Sequence, residues 1–373
     1  MQSHDRRILT LDGFRALAII MVIAFHYFSR WTTPLHSENL YPYGDALASA
    51  FGYGYLGVEL FFIISGFVIA MTLATCSTVQ EFAIKRFARL WPALLICSLL
   101  TFAVGYFLPL DAFPVKPMDF IPSLTLVNPY IMNKIFGSHT YWIDGAYWSL
   151  FIEASFYVWA AALFFVFRGR LLIAFFVLLN ISILGAVLTP LRFRGLFEML
   201  LLPEYLYWFC AGIGFYYVFN RRELKLASLL IAESAFLAIG KPMIDLKFGA
   251  ALLGCLFFTM FICFVVRPRL VSAFAWKPVA IIGVVSYSLY LLHQQIGVAL
   301  IYHLAGDARG PHTIVVALAV IALLTGLALL IYHYWEVPAK RMILALNAKA
   351  LSDRAHHVAT ARRTHGLAPR RST

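Results

Sequence analysis

The sequence predicts an all-α, polytopic membrane protein, with about ten transmembrane helices around a polar central cavity and both termini cytoplasmic. Three observations predict it. Hydrophobic residues make up 62% of the 373 and charged residues only 13%, too few charges to cover a soluble domain. Mean hydropathy is +0.80. Apolar runs of about 20 residues, long enough to cross a hydrocarbon core, recur along the chain between short basic connections.

The expected spans are 12–30, 52–75, 90–109, 146–167, 171–189, 203–219, 224–240, 248–266, 279–303 and 313–335. The first imitates a signal peptide, but Asp12 and Arg15 interrupt its apolar core and no small-x-small site follows, so it reads as a retained helix. In the second, Ser65-Gly66 marks a close helix crossing rather than a nucleophile elbow, because no Gly-x-Ser-x-Gly pattern surrounds it. Ahead of the third, Lys85, Arg86 and Arg89 form a cationic mouth, with Pro92 near the first turn. The connection 110–145 is rich in proline, which leaves room only for short re-entrant pieces between Asp119 and Asn128. Its Tyr141, Trp142, Tyr147 and Trp148 read either as an interfacial aromatic belt or as acceptor contacts. Glu336, at the inner end of the tenth span, is expected to pair with Lys340 or Arg341. Residues 1–345 form one transmembrane domain, and 346–373 form a basic, disordered tail near anionic lipid.

A net charge of +12 could suggest nucleic acid. The basic residues instead concentrate in the connections on the side of the termini, which encodes orientation and argues against nucleic-acid binding. Cys76, Cys97, Cys210, Cys255 and Cys263 lack metal-ligand spacing and read as buried small hydrophobes. His303, His312 and His333 have no zinc-ligand pattern, so no metal is expected. Phosphate loops and dinucleotide fingerprints are likewise missing from the sequence.

Ionisable side chains within membrane helices each cost several kcal/mol and need a reason. Arg15 and His26 are eleven residues apart, so they share one helical face about 16 Å apart along the axis. Asp12 is placed to pair with Arg15. His26, Glu59, Glu153 and His293 fall at similar depths in four spans, which predicts one shared polar cavity. A carboxylate beside a histidine fixes its tautomer and makes it a general base. An interhelical network that only locks packing is the alternative. On the inner side, Arg86 and Arg89 share a helical face and suit a phosphate clamp, alongside ordinary positive-inside charge. A phosphorylated donor with a long flexible arm would link these two ends.

These residues also carry a resemblance. Leu11-Asp12-Gly13-Phe14-Arg15-Ala16 with His26, Gly57-Val58-Glu59-Leu60-Phe61-Phe62 through Ser65-Gly66-Phe67, and Lys85-Arg86 with Arg89 and Pro92 occur in the order found in membrane-bound acyltransferase family 3. So do Trp148-Ser149-Leu150 with Glu153, Ser286-Tyr287-Ser288-Leu289-Tyr290 with His293, and Glu336 with Pro338. The chain thus resembles bacterial polysaccharide O-acetylases over most of residues 8–341. The resemblance implies ten core helices in a bacterial cytoplasmic (inner) membrane. It also implies acyl-CoA, usually acetyl-CoA, as cytoplasmic donor, and a carbohydrate or lipid-linked saccharide acceptor at the outer face. His26 matches the catalytic position, with Glu153 and Glu59 as its expected partners. Arg86 and Arg89, with Arg15, match donor handling, and Trp148, Tyr287 and His293 are expected to contact substrate. Glu59 stands where many members carry Asp, which keeps the charge and adds a methylene. Some relatives carry a C-terminal esterase-like domain with no counterpart in these residues, so either a partner transferase is expected on a separate chain or the acceptor is handled alone. A transporter or flippase of a lipid-linked sugar is the rival reading, since its cavity would also need buried polar groups.

Overall fold

Helix α1 (Gln2–Phe28) keeps its apolar run unbroken and buries Phe14, Ala18, Ile19 and Val22 completely inside the bundle. In the computed structural model, residues 2–30, 45–110, 114–305 and 312–349 are described. After α1 come α2 (Asp45–Ala50), α3 (Gly57–Leu73), α4 (Val79–Phe107), α5 (Phe120–Thr125), α6 (Pro129–Phe136) and α7 (Trp148–Val166). Then follow α8 (Leu171–Leu188), α9 (Leu191–Leu201), α10 (Leu206–Phe219), α11 (Leu224–Ile244) and α12 (Phe248–Val266). The chain closes with α13 (Lys277–Val284), α14 (Ser286–His293), α15 (Gln295–Ala305) and α16 (His312–Ile331). No strand occurs among the described residues.

Nine stretches of the described residues are long and apolar enough to cross a membrane. The ninth expected span, 279–303, is corrected from one helix to three, α13–α15, interrupted at Val285 and Gln294. An interrupted helix survives at membrane depth only where protein satisfies the freed backbone groups. Here the Tyr27 hydroxyl donates to the His293 carbonyl at 2.9 Å. Gly297 makes this possible, because a Cβ there would occupy the place of that hydroxyl. At the other end, a Cβ on Gly283 would collide with the Asp12 carbonyl. The interrupted span therefore runs alongside α1 in the same direction.

The span containing α3 is the centre of the bundle, 78% buried, whereas α11 is only 22% buried and faces outward. Helices α3 and α10 cross backbone to backbone. Gly66 lies against the Phe209 carbonyl and Gly212 against the Ile63 carbonyl, which leaves no space for a side chain at either. The small residue read at Ser65-Gly66 serves this crossing. Stacked rings on both sides, Phe62 on Phe209 at 4.5 Å and Phe156 on Phe209 at 4.1 Å, fill the remaining volume.

Helix α4 starts eleven residues before the expected third span. Thr78 caps it by accepting from the Glu81 N–H at 3.1 Å, so Lys85, Arg86 and Arg89 sit on the helix itself. Pro92 then lies well inside α4 rather than in its first turn. The proline-rich connection forms α5 and α6, held together by buried Asp119, which accepts from the N–H groups of Lys116 and Tyr141 at 2.9 Å each. Its aromatics divide: Tyr147 is fully buried while Tyr141 is 61% exposed. Cys76, Cys97 and Cys210 are buried as expected, but Cys255 is exposed on the outer face of α12 and Cys263 is half-buried. Residues 346–349 continue the last helix. The rest of the basic tail, from 350, lies outside the described residues.

Candidate active site

Two cavities occupy the bundle, and the ionisable residues divide between them. The first, of roughly 110 Å3, is lined by Arg15, Arg86, Arg89, Ser65, Glu153 and Tyr287, among others. Arg15 is held by Asp12 at 2.6 Å, the i, i+3 pair expected from spacing. Arg86 donates to Thr72 Oγ1 at 3.0 Å and lies 5.7 and 5.8 Å from the Phe82 and Tyr157 ring centres. Its Nε is buried with no hydrogen-bond partner, a donor left available to an anion. Arg89 forms an ion pair with Glu336 and lies over the Tyr287 ring at 5.1 Å. Glu336 also accepts from Ser288 at 3.0 Å. Its expected pairing with Lys340 or Arg341 is therefore corrected: the π-helical turn Tyr332–Glu336 swings the carboxylate inward, where it is 3% exposed. Lys85 pairs instead with Glu81 at 2.7 Å on the surface of α4.

The second cavity, of roughly 550 Å3, is lined by Phe25, His26, Glu59, Trp148, Tyr205 and Gln294, among others. Ion pairs Lys241–Glu204 at 2.8 Å and Lys247–Asp245 at 3.9 Å rim it. Glu59 lies in the first turn of α3, where the helix dipole favours a carboxylate. One of its oxygens is buried without a hydrogen-bond partner. Trp148 and Tyr205 present tilted rings 5.3 Å apart. His26 Nδ1 lies 2.9 Å from the Val22 carbonyl and 3.2 Å from His293 Nε2.

Two expectations about this site change. Glu153 does not orient His26. It accepts from Ser65 at 2.7 Å and Tyr157 at 2.6 Å in the arginine cavity. Ser65 is six residues beyond Glu59 on α3, about 9 Å along the axis; depth counted along separate helices missed the direction in which Glu153 faces. His293 lines neither cavity: it is fully buried behind His26, with Nδ1 2.6 Å from the Tyr290 carbonyl. Tyr287 lines the arginine cavity and donates to the Leu90 carbonyl at 3.1 Å.

The single shared cavity is thus two cavities with a common wall. Val58 and Tyr290 line both. The Tyr290 hydroxyl is fixed by the Ala146 carbonyl at 3.0 Å and Ser149 at 2.7 Å, and its ring packs 5.2 Å from that of His293. Sequence reasoning quoted Ser149 and Tyr290 only as motif members and assigned no role to them or to Tyr157, Tyr27 or Asp144. Asp144 is fully buried and accepts from the N–H groups of Ala146 at 2.8 Å and Gln295 at 2.9 Å, joining the starts of α7 and α15. A capping residue just before an apolar run was the available signal for it. Tyr157, four residues after Glu153, could have been found by helical spacing.

Comparison with known proteins places this arrangement. A family model described as an acyltransferase domain matches residues 8–333. The peptidoglycan O-acetyltransferase OatA of Listeria monocytogenes is 26% identical over 332 residues, covering 77% of this chain and 49% of the relative. The O-acetyltransferase OatA of Staphylococcus aureus is 31% identical over 160 residues, covering 40% of this chain and 23% of the relative. The chain therefore matches about half the length of the first relative and under a quarter of the second. No solved structure matches.

Proposed function

The chain belongs to the acyltransferase family whose model spans residues 8–333, and from that premise we propose that it is an integral-membrane O-acyltransferase. It would move an acyl group, most simply acetyl, from cytoplasmic acyl-CoA to a hydroxyl of an extracytoplasmic carbohydrate. One observation carries this reading: a three-arginine cavity and a histidine cavity lie side by side, with Val58 and Tyr290 lining both.

The arginine cavity suits the donor. Arg15, Arg86 and Arg89 are arranged for phosphate oxygens, and the partnerless Arg86 Nε supports that use. At roughly 110 Å3 the cavity suits the slender phosphate-bearing arm of such a donor. The concentration of Lys and Arg in connections on the side of the arginines supports that side as cytoplasmic.

The histidine cavity suits the acceptor. Trp148 and Tyr205 offer apolar ring faces, and the Glu204, Lys241, Asp245 and Lys247 rim offers hydrogen bonds, the combination a sugar uses. The Listeria relative, named for peptidoglycan, supports a cell-envelope glycan. His26 takes the proton of the acceptor hydroxyl as its oxygen attacks the donor carbonyl. Glu59 is placed to help orient the acceptor. Direct transfer is preferred over an acyl-histidine intermediate, which mass spectrometry after incubation with donor alone would reveal.

Purified protein given acetyl-CoA and a glycan acceptor should release free CoA and add an acetyl increment to the glycan. A transporter would release none, and that result would replace this reading. Cysteines placed at Arg222 and at Lys247 should label from opposite faces of the membrane, Arg222 from the cytoplasm.

A further inference from the structure

His293 was expected to touch substrate, yet it reaches neither cavity, and its hydrogen bonds lead to His26 instead. Hydrogen positions on the two rings follow from their partners. The Tyr290 carbonyl can only accept, so His293 Nδ1 carries a hydrogen and donates to it at 2.6 Å. A neutral ring has its lone pair on the other nitrogen, so His293 Nε2 is an acceptor. His26 Nδ1 faces that nitrogen at 3.2 Å and the Val22 carbonyl at 2.9 Å. A lone pair there would oppose two others. His26 Nδ1 therefore carries a hydrogen shared between the two, and Nε2 is the basic nitrogen of His26.

A protonated His293 would reverse the middle bond, but it would put a charge in a site with no exposure and turn the lone pair of His26 Nδ1 towards the Val22 carbonyl. Buried charge of that kind is expensive. The scaffold is equally specific. The interruption at Gln294 frees the His293 carbonyl, and the Tyr27 hydroxyl, on the residue next to His26, takes it at 2.9 Å. One tyrosine thus ties the backbone of His293 to the helix carrying His26.

We propose that His293 is a positioning residue that holds His26 as its Nδ1–H tautomer, making Nε2 the atom that accepts the acceptor's proton. The inference rests on the acyl-transfer reading above. In the step it serves, the acceptor O–H bond breaks and its proton goes to His26 Nε2, while the oxygen forms a bond to the thioester carbonyl carbon. The C–S bond then breaks with its electrons on sulfur, which takes the proton from Nε2. The Nδ1 hydrogen stays in place throughout, and its contact with His293 Nε2 helps carry the passing positive charge.

The test combines kinetics with nitrogen NMR of 15N-histidine-labelled, full-length protein. His293→Leu removes one of the two acceptors and leaves the Val22 carbonyl alone to hold the tautomer; it should lower kcat on the order of 10^2-fold, with the donor KM unchanged. His293→Gln, whose amide oxygen can accept from His26 Nδ1, should recover kcat to within about ten-fold of wild type. In the wild-type spectrum, assigned with His26→Ala, the His26 signals should show a protonated Nδ1 and an unprotonated Nε2. An Nε2–H tautomer for His26 overturns the proposal, as does equal impairment by Leu and Gln or wild-type kcat in His293→Leu. If His293→Leu does not fold, the Gln variant and the wild-type spectrum still decide. Failure of wild-type protein to transfer any acyl group would instead remove the proposed function, and the spectrum would read the tautomer regardless.

Discussion

The arginine cavity and the histidine cavity are built by opposite means. Around the arginines, charge meets charge: Asp12 on Arg15 within α1, and Glu336, at the end of the π-helical turn, on Arg89 across the bundle. Around the histidines, neutral rings meet backbone carbonyls beside an interrupted helix: His26 at Val22, His293 at Tyr290, and Tyr27 at His293. The difference is one of direction. A guanidinium has five donors and tolerates many approaches, so a regular helix can supply it. A neutral imidazole has one donor and one acceptor, and the site depends on which nitrogen is which. Only a carbonyl at a defined place selects between them, and Val22 on α1 and Tyr290 on α14 supply the two carbonyls.

If that contrast is right, damage should differ by region. The largest effect belongs to the histidine side. His26→Ala should lower acyl transfer by about 10^2- to 10^4-fold with expression and membrane insertion intact; normal acylation of the acceptor by this variant would take His26 out of the chemistry. The arginine side should fail through stability as well. Arg89→Leu leaves Glu336 buried without its cation and should cost about 3–5 kcal/mol, read as a fall in thermal midpoint in detergent. The double variant Arg89→Leu/Glu336→Leu should recover most of that midpoint while staying inactive. Recovery of activity as well would mean that Arg89 does nothing beyond pairing.

Smaller effects test the scaffold both cavities share. Gly66→Ala places a Cβ against the Phe209 backbone, at the same close crossing where Gly212 lies against the Ile63 carbonyl. It should lower stability by about 1–3 kcal/mol and impair both cavities together. The mildest change is Tyr27→Phe, which deletes one neutral hydrogen bond worth about 0.5–1.5 kcal/mol. Its kcat should fall by a few fold while the donor KM, a property of the other cavity, is unchanged. A donor KM that shifts as much as kcat would show that the two regions are not separable.

Much of this was legible beforehand, for specific reasons. Arg15 with Asp12 and Arg86 with Arg89 lie within one or two turns of each other, and the geometry of a helix fixes such neighbours from spacing alone. Gly66 at a close crossing was legible for the same reason that makes it necessary: small residues mark backbone contact. Glu153 was misplaced because depth along a helix says nothing of the direction in which a side chain faces. His293 was taken for a substrate contact because its position in a motif does not reveal whether it lines a cavity or supports the residue that does. The ninth span was read as continuous because Ser286 and Gln294 interrupt neither its hydrophobicity nor its length.

What the sequence determined by itself was the solvent: with so few charges and so many apolar runs of membrane length, the helical bundle and the spacing of charges along each helix followed from local chain geometry. What only the tertiary structure decided was which buried groups meet. Whether Glu153 answers to His26 or to Ser65, and whether Glu336 answers to Lys340 or to Arg89, depends on helix rotation, tilt and interruption. Those are set by packing among residues distant in the chain, and no local pattern encodes them.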